Sequence, residues 1–362
     1  MQPSDDVEPT SSRRSGQKRG GAVLVTGGAG YIGSHILKAV EESGRPAVAF
    51  DDLSHGFREA CAWGELVEGD VRDTEALIAA IERHDAVAVI HMAGLIEVGR
   101  STVHPDLFWD QNVQGTASVL AAMRATGARR LVFSSSAAVY GADPRGNWSD
   151  LLTEKSPKDP ASPYGDTKLA AEWMISASCA AFGLSAIALR YFNAAGADPS
   201  GRLGEAHHPE THLIPLAIQA ALGQRGPLTV FGSDFDTPDG TCLRDYIHVG
   251  DLAAAHVAAL DGALEPGEFD AVNVGTGRGQ SVFEVIAAVE EALDRPVPRT
   301  VGARRAGDPP SLVADPSRAA ARLDWRPRSS SLEEIVASAA RWHANPLYGT
   351  GRAGRVERVD QK

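Results

Sequence analysis

The run Ala22-Val23-Leu24-Val25-Thr26 passes without a break into Gly27-Gly28-Ala29-Gly30-Tyr31-Ile32-Gly33. Five apolar or β-branched residues read as a buried strand, and the residues after Gly30 read as a helix. The glycines satisfy both G-x-x-G-x-x-G and G-x-G-x-x-G. Between a strand and a helix, such a turn lets the backbone approach a pyrophosphate, whose charge rests on the helix N-terminus. With 37 glycines in 362 residues, the motif alone could also be a plain α/β turn. The next strand supplies the second observation. It ends at Asp51, 24 residues after Gly27, where a carboxylate can accept hydrogen bonds from the adenosine ribose hydroxyls. A carboxylate there repels a 2′-phosphate, so NAD is expected rather than NADP, with Asp52 able to share the contact. Asp70 and Val71, closing the third strand, are expected beside the adenine.

Outward from this turn the chain alternates apolar runs with helical patterns. Strands are expected at 46–50, 65–69, 86–91, 130–135 and 185–192, and helices near 73–83, 106–126 and 162–182. Short apolar strands separated by helices imply a parallel sheet covered on both faces, hence an α/β, Rossmann-type doubly wound fold. From about residue 196 Pro, Gly and Asp become frequent. Shorter elements follow, with helices near 281–293 and 332–343, as in a smaller, irregular α/β lobe that binds substrate. The expected organisation is a disordered leader over 1–20 and a dinucleotide-binding domain over 21–195. The chain returns to that domain at 240–275, the lobe comprises 196–239 and 276–343, and a flexible tail covers 344–362.

Composition narrows the function. The chain is ordinary in its 43% hydrophobic content and carries a net charge of −12, which disfavours nucleic acid as a partner. A local basic pocket for one phosphorylated ligand remains compatible with that charge. No apolar stretch reaches the 18 or so residues of a membrane span, so no membrane partner is expected. Cys61, Cys179 and Cys242 lie far apart and fit no metal or redox spacing. A disulfide scaffold is excluded, and a reducing, cytoplasmic setting is expected.

The chemistry gathers at Tyr164-Gly165-Asp166-Thr167-Lys168. Four residues on a helix are one turn, so the phenol and the ammonium share a face. With six tyrosines and six lysines in the chain, chance supplies only about 0.1 such pairs. A nearby ammonium and a positive nicotinamide both favour phenolate, so the tyrosine pKa is expected to fall toward working pH. Ser134-Ser135-Ser136 ends the strand at 130–135, on the side of a parallel sheet where ligands sit. Ser136 is placed to bridge Tyr164 and a substrate hydroxyl. Ser134 and Ser135 read as strand-end polarity.

The segments TGGAGYIGSH, GDVRD, HMAGL, FSSSAAVYG, SPYGDTK, RYFNAAGA, DGTCLRDYIHVGDLA and RRAGDPPSLVADPSRA follow one another over roughly residues 21–343. Together they resemble the UDP-glucose 4-epimerase family, in the extended branch of the short-chain dehydrogenases/reductases. The resemblance implies reversible, NAD-dependent inversion at carbon 4 of a UDP-hexose, through a transient 4-keto sugar. Tyr164 would be the base, Lys168 would hold the nicotinamide ribose, and Ser136 would bond the reacting oxygen. It places Gly27, Gly30, Tyr31, Ile32, Gly33, Asp51, Asp70, Val71, Ala93, Gly94 and Tyr191 at the cofactor, with Tyr164 and Lys168. Asn193, His212, Leu213, Arg244, Arg305, Asp308 and Leu312 fall at the UDP-sugar, with Ser136 and Tyr164. Two arginines on one diphosphate suit the charge chemistry. A homodimer packed through the helices near 106–126 and 162–182 is also implied.

Three positions depart from that pattern. Ile96 stands where the family often has a cofactor-contacting lysine, which bears on how tightly NAD is held. Gln111, just before Asn112, falls on an asparagine position at the cofactor. Leu312 is intermediate between the bulky residue that excludes N-acetyl groups and the small one that admits them, leaving UDP-N-acetylhexosamines and UDP-pentoses as alternative substrates. A 4,6-dehydratase would place an acidic pair where Ala137-Ala138 follow Ser136. A sugar-sensing regulator on the same fold would show a broken catalytic set, and this set is intact. His207, His208 and His212 resemble a metal cluster, but no carboxylate sits in a zincin arrangement, so no metal is expected. Asp234, Asp236 and Asp239 before Gly240 lack calcium-loop spacing and read as a turn. Trp173 and Met174 read as core or subunit packing.

Overall fold

The computed structural model describes residues 21–141, 150–262, 264–305 and 308–349. The expected leader lies outside these residues, as does the tail beyond 349. Along the chain the strands are β1 (Ala22–Thr26), β2 (Ala47–Asp51), β3 (Glu65–Glu68), β4 (Ala86–His91), β5 (Arg130–Ser136), β6 (Ser185–Tyr191) and β7 (Asn193–Ala195). They continue with β8 (Leu228–Phe231), β9 (Leu243–His248), β10 (Phe269–Val274), β11 (Gly279–Ser281), β12 (Arg299–Gly302) and β13 (Ser311–Leu312). The α-helices are α1 (Tyr31–Glu42), α2 (Thr74–Arg83), α3 (Val98–Val103), α4 (Pro105–Phe108), α5 (Gly115–Thr126) and α6 (Pro163–Phe182). Then come α7 (Leu213–Ala221), α8 (Val249–Asp261), α9 (Val282–Leu293), α10 (Ser317–Leu323) and α11 (Leu332–Ala344).

Seven strands form one parallel sheet in the order β10-β6-β5-β4-β1-β2-β3. Alternation along β1 explains its unbroken apolar run. Leu24 faces a cluster with Leu77, Val119, Met123 and Ile175, from α2, α5 and α6. Val23 and Val25 face the opposite cluster, with Ile36 and Leu37 of α1 and Leu252 of α8. A sheet buried on both faces needs apolar residues at every position. The doubly wound fold read from the sequence is the one observed.

The lobe is built on a second sheet, β11-β9-β13, with β7 paired to β9 and a separate β8–β12 pair. Helices α7, α9 and α11 close over Ile214, Ile218, Val285, Val289 and Ile335. Two assignments shift. Asn193–Ala195 leaves the main sheet, and Leu243–His248 does not return to it, so the return begins at α8. The carboxylate of Asp245 explains the second shift. It is fully buried and accepts hydrogen bonds from the amides of Thr276, Gly277 and Ala314, which fixes β9 among the lobe's own turns.

The start of the expected tail also differs. Tyr348 is buried against Trp342 and Phe57, and the Gly204 amide donates to its hydroxyl at 3.1 Å. An aromatic ring with a polar tip packs where a Gly- and Arg-rich context suggested fraying. Among the described residues no helix is long and apolar enough to cross a membrane.

Candidate active site

The strand order reverses between β1 and β4, and the crevice at such a point is where open α/β sheets take ligands. Gly27 has φ +69°, and a Cβ there would stand 2.7 Å from the Ala93 amide nitrogen. Glycine thus lets the ends of β1 and β4 touch. A Cβ on Gly33 would meet the Gly27 carbonyl oxygen at 2.0 Å, so α1 can start this close to the turn only with glycine there. Gly30 caps α1 with no side-chain bond to the first turn, which leaves those amides free to face an anion. Asp51, buried at the end of β2, accepts from the Ala29 amide at 3.0 Å and from Leu53 at 2.9 Å. Burial raises its pKa, against those two hydrogen bonds. Ile32 follows in the first turn. Tyr31 turns its ring inward, its hydroxyl donating to the Gly196 carbonyl at 2.6 Å, so only its backbone faces the crevice side. Arg72 forks onto Asp70, holding that carboxyl below its ordinary range, and Val71 is buried against Gly115. These residues fit a dinucleotide: an open helix start for its pyrophosphate and a buried carboxylate one strand away for its ribose.

The catalytic helix α6 is well specified locally. Ser162 caps it by accepting from the Gly165 amide, Pro163 opens it, and Gly183 ends it with φ +67°. It is fixed to β6 by a buried ion pair. Arg190 donates to Glu172 through Nε at 2.8 Å and Nη2 at 2.5 Å, and Ser135 donates to the same carboxylate at 2.6 Å. Ser135 therefore belongs to this support.

Tyr164 and Lys168 are both buried on the face of α6 that meets the end of β5. Lys168 Nζ donates to the Ser134 carbonyl at 2.9 Å and lies 5.9 Å from the centre of the Tyr164 ring. Ser136 accepts from the Ala138 amide at 3.1 Å and hydrogen-bonds Tyr164. The Ser134 hydroxyl meets the hydroxyl of Tyr191 at 2.5 Å. A Cβ on Gly94 would lie 3.7 Å from Lys168 Nζ, so the loop after β4 comes down on the ammonium.

The expected lowering of the Tyr164 pKa rests in part on the positive nicotinamide. Within the protein's own groups burial pushes the Tyr164 phenol up, with the Ser136 hydrogen bond opposing. The same burial lowers Lys168 to about 8, partly offset by Glu172. Helical spacing places the two groups correctly but says nothing of desolvation, which here outweighs their mutual effect.

In the lobe, Arg244 and Leu312 are register partners between β9 and β13. Arg244 donates to the carbonyls of Leu243 and Pro309 and lies 3.8 Å from Asp308. Arg305 is stacked 4.1 Å over the Phe231 ring. Asn193 donates to the Asp245 carbonyl at 3.1 Å. His212 precedes Leu213 at the start of α7 and is ion-paired to Glu205 and Glu210. His208 turns away to the Gly349 carbonyl, apart from His207 and His212.

Asn112, next to Gln111, packs between the loop after β4 and α6. It is buried, accepts from the Leu95 amide at 2.8 Å and donates to Thr167 on α6 at 3.0 Å. Its neighbour Gln111 is only half-buried. Residues Trp109–Gln114 are π-helical. Ile96 is exposed.

Residues 23–275 match the model of the NAD dependent epimerase/dehydratase family. The chain belongs to this family. The UDP-glucose 4-epimerase of Azospirillum brasilense is 49% identical over 333 residues, 92% of this chain and 94% of that one. The crystal structure of UDP-glucose 4-epimerase from Brucella ovis in complex with NAD is 48% identical with a TM-score of 0.85, covering 89% of this chain and 98% of that one. The enzyme from Bifidobacterium longum in complex with NAD+ and UDP is 35% identical, also at 0.85, covering 91% and 99%.

Burial of Lys168 has a measurable consequence. Its folded pKa of about 8 lies below the ordinary 10.5, so between these values the unfolded chain binds the extra proton and stability rises with pH. Cofactor-stripped Lys168→Met protein should exceed the stripped wild type in denaturant stability at pH 7 by about 1–3 kcal/mol. The gap should close as pH rises from about 8 to 10.5. A gap that widens over that range would contradict a buried ammonium.

Proposed function

We infer that this chain reversibly inverts carbon 4 of a UDP-hexose, interconverting UDP-galactose and UDP-glucose with bound NAD. The observation that carries this reading is the convergence of Ser136, Tyr164 and Lys168 over the end of β5, beside the glycine crevice. The relatives named UDP-glucose 4-epimerase, among them structures holding NAD or UDP, support the same activity.

NAD at this site supplies a reversible hydride acceptor and a positive charge beside the phenol. Gly30 and the first turn of α1 would hold its pyrophosphate, Asp51 its adenosine ribose and Lys168 its nicotinamide ribose. Tyr164 takes the proton from the sugar 4-hydroxyl as carbon 4 is oxidised to a ketone. It returns that proton when the opposite face is reduced. Ser136 holds the reacting oxygen in line with the phenol. Lys168, tied to the Ser134 carbonyl, keeps its charge on the phenol side of the site. Burial of Tyr164 raises the proton affinity of the phenolate, which makes it a strong base once formed. Arg244 and Arg305 are the cations for the UDP diphosphate, with Asn193, His212, Leu213, Asp308 and Leu312 around the nucleotide sugar.

The same reading includes a homodimer. Val103 on α3 is 69% exposed and Trp173 on α6 65%, and Leu107 on α4 and Trp109 just after it are also exposed, an apolar set on adjoining elements. A second copy of the chain, packed through these helices, would cover it. Light scattering at micromolar concentration should give about twice the chain mass of 38.1 kDa, and Trp173→Glu should shift it toward one. A wild-type monomer would refute the dimer.

Tyr164→Phe tests the chemistry. Turnover of UDP-galactose should fall by about 10²–10⁴-fold or more. UDP and NAD binding, read by calorimetry, should stay within a few-fold. Turnover close to wild type would remove Tyr164 from the role of base.

A further inference from the structure

Outside the catalytic groups, the loop leading into α7 gathers Glu205, His207, Glu210 and His212. One donor atom from each lies within 4.8 Å of all the others. His207 Nδ1 is 3.0 Å from Glu205 Oε1, and His212 Nδ1 is 2.8 Å from the same oxygen and 3.0 Å from Glu210 Oε1. The sequence pattern is Glu-x-His twice over, and residues two apart on extended backbone point to one side. His207 and His212 thus converge, while His208 turns away to the Gly349 carbonyl. The carboxylates come from residues no zincin motif includes.

The charge and geometry of this cluster are those of a metal shell. The Glu205 and Glu210 side chains are 4% and 7% exposed, so two buried carboxylates lie together, with the half-buried His207 and His212 on the solvent side. Like charges buried together are costly unless cations meet them. Tetrahedral zinc with bonds near 2.0–2.1 Å spaces its donors about 3.3 Å apart. The three shortest separations, 2.8 to 3.0 Å, need to open by only a few tenths of an ångström. Neutral imidazoles with carboxylates form a donor set suited to zinc, and poorly suited to all-oxygen ions such as magnesium or calcium. The loop is also held from outside: Trp342 Nε1 donates to the Glu205 backbone carbonyl at 2.8 Å, and the edge-on ring of Tyr31 lies 6.3 Å from that of His207.

We propose that Glu205, His207, Glu210 and His212 bind one zinc-type divalent ion, which ties together the loop that leads into α7. The ion takes no part in the proton and hydride steps. It departs from the expectation of no metal, and it draws on the imidazole of His212, which the proposed function places beside the nucleotide sugar.

The test uses the full chain without an affinity tag, purified without chelator and dialysed against metal-depleted buffer. Elemental analysis should find about one zinc per chain. Chelation should lower the melting temperature and added zinc chloride should restore it. His207→Ala and Glu210→Gln should each weaken zinc binding by about 10-fold or more while circular dichroism stays native. If either variant fails to fold, zinc-edge X-ray absorption of the wild type decides: nitrogen and oxygen neighbours alone support the site, whereas sulfur from Cys61 or Cys242 overturns it. Zinc bound no more tightly than about 10 µM by the wild type, or bound equally by the folded variants, also overturns it.

Discussion

The ammonium of Lys168 sits inside the protein with its hydrogen bond to the Ser134 carbonyl, and much of the site is arranged around keeping it there. A buried cation is destabilising unless its surroundings hold it. Here the end of β5 supplies the carbonyl, the loop after β4 closes above it, and Glu172 on the same helix contributes favourable charge. Glu172 is itself bound by Arg190 of β6 and by Ser135 of β5, so neighbouring strands and one helix are locked through a single carboxylate. Tyr164, one turn before Lys168, inherits its position from the same support.

The sheet and its crevice were legible because their constraints are local and repeated. Strands buried on both faces must be apolar throughout, and the turn after β1 must be glycine where backbones of β1, β4 and α1 nearly touch. The positions of Gly27, Gly33 and Asp51 follow from those contacts, and their spacing is visible in the chain. The pairing of Tyr164 with Lys168 was equally legible, since a helix brings residues four apart to one face.

What the sequence concealed depends on tertiary surroundings. No residue pattern announces the π-helical segment at Trp109–Gln114 or the hydrogen bond from Asn112 to Thr167 on α6. The placement of β9 depends on amides from Thr276, Gly277 and Ala314 meeting Asp245, which are distant in the chain. Desolvation raises the Tyr164 phenol among the protein's own groups, and burial is a property of the whole fold that spacing does not show. The glutamates beside His207 and His212 are in plain view in the chain, but their convergence on the two rings depends on the path of the loop.

The most direct measurement is to incubate the purified protein with UDP-galactose, without added NAD, and follow the sugar by NMR. Retained cofactor and an internal proton relay through Tyr164 require UDP-glucose to appear with no net NADH at 340 nm. Stoichiometric NADH with a released keto sugar would contradict a closed redox cycle. No UDP-glucose, even after NAD is supplied, would contradict the assignment of this site to carbon 4 of a UDP-hexose.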